Sequence, residues 1–345
     1  MAIRDILDRL VAGQGLTSDQ TEALFEDLLN GRLDDAQIGA ALGMIQVRGV
    51  KVEELIGAAR VMRRHASTIP CTPAEGCIVL DTCGTGGAPK TFNISTITAI
   101  VAAAAAPGRV CVAKHGNRSR TGRGSAEVLS ALGVNIDAST QVQARCLSEA
   151  GVCFCFAVRH HPAVRHASLA RKSLGFNTIF NLIGPLTNPA GASHQLLGVF
   201  DGALVEPLAQ ALAHLGSTRA MVVHGLDGMD EITTTMRTRI AHLANGVVTV
   251  EELDPQSLGL KPASLNDLRC ADLESAVRTA RDVIEGVKGP ARDIVTMNTA
   301  AALVVAEVSP GLRDGLVRAN AALDSGAAQR TLDRLARMSH ETAPS

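Results

Sequence analysis

CIVLDTCGTGGAPKTFNIST, residues 77–96, is the stretch on which the reading of the fold turns. Cys77–Asp81 has the composition of a short strand, Gly84–Gly87 holds three glycines in four positions, and a helical pattern begins near Asn93. In that order, glycines let main-chain N–H groups approach an anion, and the following helix adds the partial positive charge of its N-terminus. Asn93, Ser95 and Thr96 bring polar groups to the same helix start. An ordinary helix cap after a flexible turn would look similar. The turn is neither a Walker A motif, since GK[ST] is missing, nor a GxGxxG fingerprint.

Downstream the same alternation continues. Strand-like runs at 110–113, 152–156, 195–200 and 220–225 are separated by helical patterns at about 93–106, 125–132, 141–149 and 204–215. This predicts a mainly parallel sheet flanked by helices, with ligands gathering at the carboxyl ends of the strands. A strand pair is expected near 240–252, then helices at about 273–285, 291–307 and 310–323, with a frayed HETAPS end. Upstream everything reads as helix. Thr17–Gln20 is a capping-box candidate before an apolar face of Leu24, Phe25, Leu28 and Leu29. A second helix begins on acids near Asp34 and ends near Gly49, and a third runs from Lys51 to about Ala66. PCTPAEG, 70–76, reads as a linker. The expected division is a helical domain, 1–70, and an α/β domain, 71–345.

The 345 residues are 46% hydrophobic and 19% charged, with formal net charge −1. That composition suits a globular chain and offers no basic field for nucleic acid. No apolar run approaches the roughly 20 residues that span a bilayer, and MAIRDILDRL lacks the core of a signal peptide. A cytoplasmic location is expected, with no membrane or nucleic-acid partner. The eight cysteines form no CxxC pair and read as small buried hydrophobes rather than zinc ligands.

Three further segments carry chemistry. VAKHGNRSRTGRGSAE, 112–127, also follows a strand and precedes a helix, and places Lys114, Arg118, Arg120 and Arg123 within ten residues. It could be a plain solvated basic loop. Paired with the first glycine turn at one sheet edge, it suits a multiply phosphorylated ligand better. Asp230 and Glu231 follow the strand AMVVHG; facing phosphates, such a pair could hold Mg²⁺. HHPAVRHASLARKSLGFNTIFNLIGPLTNPAG, 160–191, is basic, then apolar, and ends in a rigid turn. Its histidine pair offers no complete metal set.

Together these segments resemble the anthranilate phosphoribosyltransferase family. GTGG (84–87), TFNIST (91–96), KHGNRS (114–119), GSAE (124–127), HHPA (160–163), RKSLG (171–175), TIFNLIGPLTNPAG (178–191), VVHGLDGMDE (222–231) and ALDSGAA (322–328) occur in the family order. The resemblance implies a helical domain, rejoined by helices near 163–190, beside a larger α/β domain, and a homodimer formed through the helical part. It implies a phosphoribosyl diphosphate site of Gly84, Thr85, Gly86, Gly87, Thr91, Asn93, Ser95, Thr96, Lys114, Asn117, Arg118, Ser119 and Ser125. Anthranilate would meet Gly84, His115, Asn117, His161, Arg171 and Pro185, with Arg171 on its carboxylate. Mg²⁺ would sit near Ser95, Asp230 and Glu231. No nucleophile or acid–base pair is expected. Trp and Tyr are both absent, which would suit an enzyme making aromatic amino acids but does not establish one.

Two places depart from the family pattern. Ala88 stands where Asp usually follows GTGG, and the stretch to TFNIST is one residue shorter. SRTGRG, 119–124, replaces a longer serine-bearing loop, so Arg120 or Arg123 is expected to supply charge in place of hydroxyls. Two other readings remain open: a pyrimidine-nucleoside phosphorylase-like enzyme of similar architecture, and a non-catalytic nucleic-acid-binding relative.

Overall fold

The computed structural model describes residues 2–70, 74, 76–87, 89, 91–119 and 122–342. Much of the expected linker, together with Ala88, Lys90 and Arg120, lies outside them.

Four helices open the chain: α1 (Ile3–Val11), α2 (Ser18–Leu29), α3 (Asp35–Arg48) and α4 (Val52–Arg64). Local chemistry sets their ends. Thr17 and Gln20 close a reciprocal capping box on α2, Asp34 and Gln37 do the same on α3, and Gly49 ends α3 at φ +87°. The layer is pinned at Glu54, whose carboxylate is fully buried. It accepts from Arg48 Nη2 at 2.6 Å and from the Leu16 and Lys51 amides at 2.9 Å each. All of that buried charge is therefore answered.

The remaining chain builds one seven-stranded sheet from β1 (Ile78–Gly84), β2 (Val110–Gly116), β3 (Val152–Phe156), β4 (His194–Gly198), β5 (Arg219–Gly225), β6 (Thr238–Ala244) and β7 (Val247–Leu253). Their spatial order is β3-β2-β1-β4-β5-β6-β7. The first five run parallel, and β6 and β7 form an antiparallel hairpin at the edge.

Strand alternation sorts the core into two. Leu80, Leu196, Met221 and Val223 belong to the cluster containing helices Ile94–Ala105, Pro290–Val305, Leu312–Asp324 and Ala327–Ser339. Cys83, Leu197, Ala220 and Val222 belong to the other, with helix Val205–His214 and the whole N-terminal helical layer. Adjacent strand residues point to opposite faces, so β1, β4, β5 and β6 feed both cores, while the buried apolar residues of β2 and β3 all belong to the first. The stretch 162–186 returns to the helical layer: Phe180 meets Phe25 with ring centroids 5.4 Å apart.

Three details depart from the sequence reading. β1 extends to Gly84 and β2 to Gly116, three residues past their expected ends, because their main chains go on pairing with β4 and β3. Helix Ala327–Ser339 was not anticipated, although Ala328, Leu332, Leu335 and Met338 carry a helical period. Its end is tied down rather than frayed as far as Glu341, which pairs with Arg145 and Arg337.

Candidate active site

The strand order reverses direction between β1 and β4, which are neighbours although far apart in sequence. At such a point the loops leaving adjacent strands part and open a crevice beyond their carboxyl ends. Both strands end there in glycine. A Cβ on Gly198 would lie 1.7 Å from the Asp230 main-chain oxygen, and one on Gly84 would lie 2.7 Å from Asp230 Oδ2. The two missing side chains leave the space that the acidic turn occupies.

Asp230 Oδ2 accepts from the Gly86 amide at 3.2 Å, and Glu231 Oε1 accepts from the Ser95 amide at 3.1 Å. The acidic pair thus lies against both the glycine turn and the start of helix Ile94–Ala105. Gly86 and Gly87 take φ of +67° and +96°, the left-handed backbone open to glycine. Asn93 takes it too, at φ +61°, as the residue preceding the helix.

Behind the pair sits Lys114, 3% exposed, with Nζ donating to the Thr82 carbonyl at 2.6 Å and to Ser95 Oγ at 3.2 Å. It belongs to β2 rather than to the following loop. Burial lowers its pKa, opposed by the charges of Asp81, Cys83, Glu231 and Asp230. Burial and then the Asp230 charge push Glu231 up to about 8, against Lys114 and the Ser95 amide. A carboxylate raised in this way is short of positive charge. Asn93 Oδ1 and Thr96 Oγ1 are buried without partners among the described residues, a costly state that a ligand would relieve.

Other expected residues divide into those drawn together and those with structural tasks. His115 and His161 face each other with ring centroids 5.1 Å apart, and His115 Nε2 and His161 Nδ1 are both buried without partners among the described residues. Burial holds both rings below the usual histidine range, His161 at about 4. Pro185 is buried beside them, its carbonyl taking a 2.7 Å bond from Gln195. Arg171 lies on helix Ser168–Leu174, stacked on Phe180 at 4.7 Å. Burial lowers its pKa.

Thr85 accepts from the Phe200 amide at 3.2 Å, and Thr91 is half-buried in the turn before Asn93. The basic loop is less free than expected. The Arg118 guanidinium lies over Phe156, while Arg123 donates to the Cys270 carbonyl and its own amide bonds Ser119 Oγ at 2.9 Å. Arg123 therefore ties the loop to the 270 segment. Ser125 Oγ donates to the Asn117 carbonyl at 3.3 Å, closing the same loop on itself.

Residues not singled out in the sequence hold this arrangement in place. Asp81, fully buried, accepts from the His115 amide at 3.0 Å and lies 3.4 Å from Gln195 Nε2. Asp227 receives the Thr233 and Thr235 hydroxyls and the Met229 amide, shaping the acidic turn. Asn298 grips both the amide and the carbonyl of Ile232 at 3.0 and 2.9 Å. Asp81 and Asn298 work through partners far away in sequence and Asp227 through residues two to eight positions on, and only the acidic turn itself carried a visible motif.

The donors fit a hydrated divalent cation shared with a phosphate. Such ions take one or two carboxylates and complete their shell with water and ligand oxygens. Among the described residues no cluster of three His, Cys, Asp or Glu side chains could hold a metal by itself.

The α/b domain model of the glycosyl transferase family matches residues 76–329, and that family's helical bundle domain model matches residues 4–66. Anthranilate phosphoribosyltransferase from Rhodospirillum rubrum is 47% identical over 96% of this chain and 94% of its own length. That from Methylobacterium nodulans is 44% identical over 98% and 99%. The chain belongs to the anthranilate phosphoribosyltransferase family. The crystal structure of the Thermus thermophilus member superposes with a TM-score of 0.89 at 35% identity, covering 97% of this chain and 99% of that one. The Saccharomyces cerevisiae enzyme in complex with PRPP and Mg shares the fold, with a TM-score of 0.87 at 24% identity, covering 98% and 97%.

Proposed function

We propose that this member of the family transfers the phosphoribosyl group of 5-phosphoribosyl 1-diphosphate to the amine of anthranilate and releases pyrophosphate. The observation that carries the reading is the crevice between β1 and β4. There a glycine turn, a helix N-terminus and the Asp230–Glu231 pair converge around buried polar atoms that have no partner among the described residues.

The diphosphate is taken to lie along Gly84–Gly87, the Asn93–Thr96 helix start and the 117–119 and 125 positions. Asp230, Glu231 and Ser95 would hold Mg²⁺, which neutralises charge on a departing pyrophosphate. The C1–oxygen bond breaks with its electron pair leaving on pyrophosphate. The amine lone pair forms the new C1–nitrogen bond and then sheds a proton. An aromatic amine needs no strong base first, so the residues act by holding the two partners in line and by their fixed charges. Arg171 is assigned to the acceptor carboxylate, and His115, Asn117, His161 and Pro185 to its approach.

A homodimer through the helical part is supported by α1 and α3. Val11 and Val47 are 75% and 91% exposed there, and the Gly39 and Gly43 positions of α3 face open space. The helical unit is taken as residues 1–70 with the return near 163–190, and the α/β unit as 71–345. Among the described residues no helix is long and apolar enough to cross a membrane. A cytoplasmic location agrees with that.

The deciding assay follows the loss of anthranilate fluorescence with and without the ribose diphosphate and Mg²⁺. Consumption should require both. Asp230→Asn combined with Glu231→Gln should lower turnover at least about 100-fold, the scale on which misplaced groups act, with little change in anthranilate binding. Turnover like the wild type in that double variant would defeat the metal assignment. Phosphate-dependent cleavage of a pyrimidine nucleoside would defeat the acceptor.

A further inference from the structure

Two arginines among the described residues have guanidinium groups pushed below the usual arginine range by burial alone, Arg63 and Arg171. The half-buried Arg48 and the buried Arg292 differ, since Glu54 and Asp324 answer their charges at 2.6 and 2.7 Å. Neither Arg63 nor Arg171 has a carboxylate within 4 Å among the described residues. At Arg171 the proposed function supplies one, the acceptor's. Arg63 stands at the end of α4, where Nε donates to the Leu186 carbonyl and Nη1 to the Leu215 carbonyl, each at 2.8 Å. These neutral acceptors orient the group and leave its charge without a counter-ion.

Arg63 also lines a cavity of about 240 Å³ at the seam between the helical layer and the sheet, on the side where β4 and β5 begin. Ala66, Leu186, Pro189 and Ala192 give it apolar walls, and Ser193 and Ser217 add hydroxyls. We propose that this seam cavity is a second binding site, for a small organic carboxylate seated on Arg63. The volume is below the roughly 300–1,000 Å³ of sites for drug-sized ligands, which limits the occupant to about the size of a benzoate. A guanidinium fork matches a carboxylate in two parallel bonds, and the apolar walls suit a ring or short chain.

The cavity shares a wall with the acceptor approach. Gln195 and the 185–188 turn line it. From there Gln195 bonds the Pro185 carbonyl, Asn188 Nδ2 donates to the Ala113 carbonyl at 2.7 Å, and Thr187 Oγ1 lies 3.4 Å from His161 Nε2. A ligand on Arg63 therefore pushes on the back of the turn whose front faces His115 and His161.

The test is ¹⁹F NMR of the unliganded full-length protein titrated with 4-fluorobenzoate, which lacks the acceptor amine. The wild type should show two bound resonances. Arg63→Gln should remove one, raising that site's dissociation constant more than tenfold, while Arg171→Gln removes the other. Ala192→Phe, which fills the cavity and leaves Arg63 in place, should remove the same resonance as Arg63→Gln and stands in for it if that variant does not fold. A single bound resonance in the wild type that Arg63→Gln and Ala192→Phe both leave in place, or two in both of those variants, would overturn the proposal and leave Arg63 as a clamp between layers. If Arg171→Gln keeps both resonances while Arg63→Gln loses one, the acceptor assignment fails and the seam site stands.

Discussion

Gly198 shows how little material separates a working site from a blocked one. Any side chain there would occupy the position of the Asp230 carbonyl, so the acidic turn would have to move. Gly198→Ala should keep its circular dichroism spectrum and lose at least about 100-fold in turnover, as expected for a displacement near 1 Å. Turnover within threefold of the wild type would show that the turn is not held by this contact. His161 makes a different prediction. Its folded pKa of about 4 lies below the 6.5 of an exposed ring, so the unfolded chain binds the extra proton between those values. Stability should therefore fall as pH drops from 6.5 toward 4, by about 3 kcal/mol from this residue. Urea denaturation of wild type and His161→Gln should diverge in pH slope; equal slopes would exclude the effect. The glycines, cations and acidic pair were legible because each belongs to a local run. Asp81, Gln195 and Asn298 were not, because a lone polar residue in an apolar stretch shows its purpose only once its partner is folded beside it.

At the scale of elements, the helical layer depends on a single buried charge. Glu54→Ala would leave Arg48 and the Leu16 and Lys51 amides unanswered, at a cost of about 3–5 kcal/mol. Thermal unfolding should register this as a large drop in Tm, and a shift under about 2 °C would show that the pair adds little. Strand positions were readable from apolar runs such as VCFCF, while their ends were not. Lys114 and His115 have the composition of a loop, yet pairing with Phe154 and Cys155 keeps them in β2. That pairing buries the lysine head under Ser95, where the expected loop would have left it in solvent. Main-chain hydrogen bonds, which no side-chain pattern announces, decide where such strands stop.

For the whole molecule, the expected pairing of a helical unit with an α/β unit was legible from the change of period after residue 76. The sheet order was not, since hydrophobic period reports an element's type and not its neighbour. The proposed dimer is testable at this scale. Sedimentation velocity should give a dimer for the wild type and a monomer for Gly43→Arg, whose long cation would occupy the open face of α3. A variant that still sediments as a dimer would move the interface elsewhere.

The contact between Phe25 and Phe180 also has a temporal side. The first helices pack on one another, but the apolar face around Phe25 stays partly uncovered until the stretch after residue 162 has been made. At roughly 5–20 residues per second, about 8–30 seconds pass between Phe25 and Phe180. During that interval the nascent chain has greasy helices and no lid for them, and chaperone capture should peak before residue 180 emerges and fall after it.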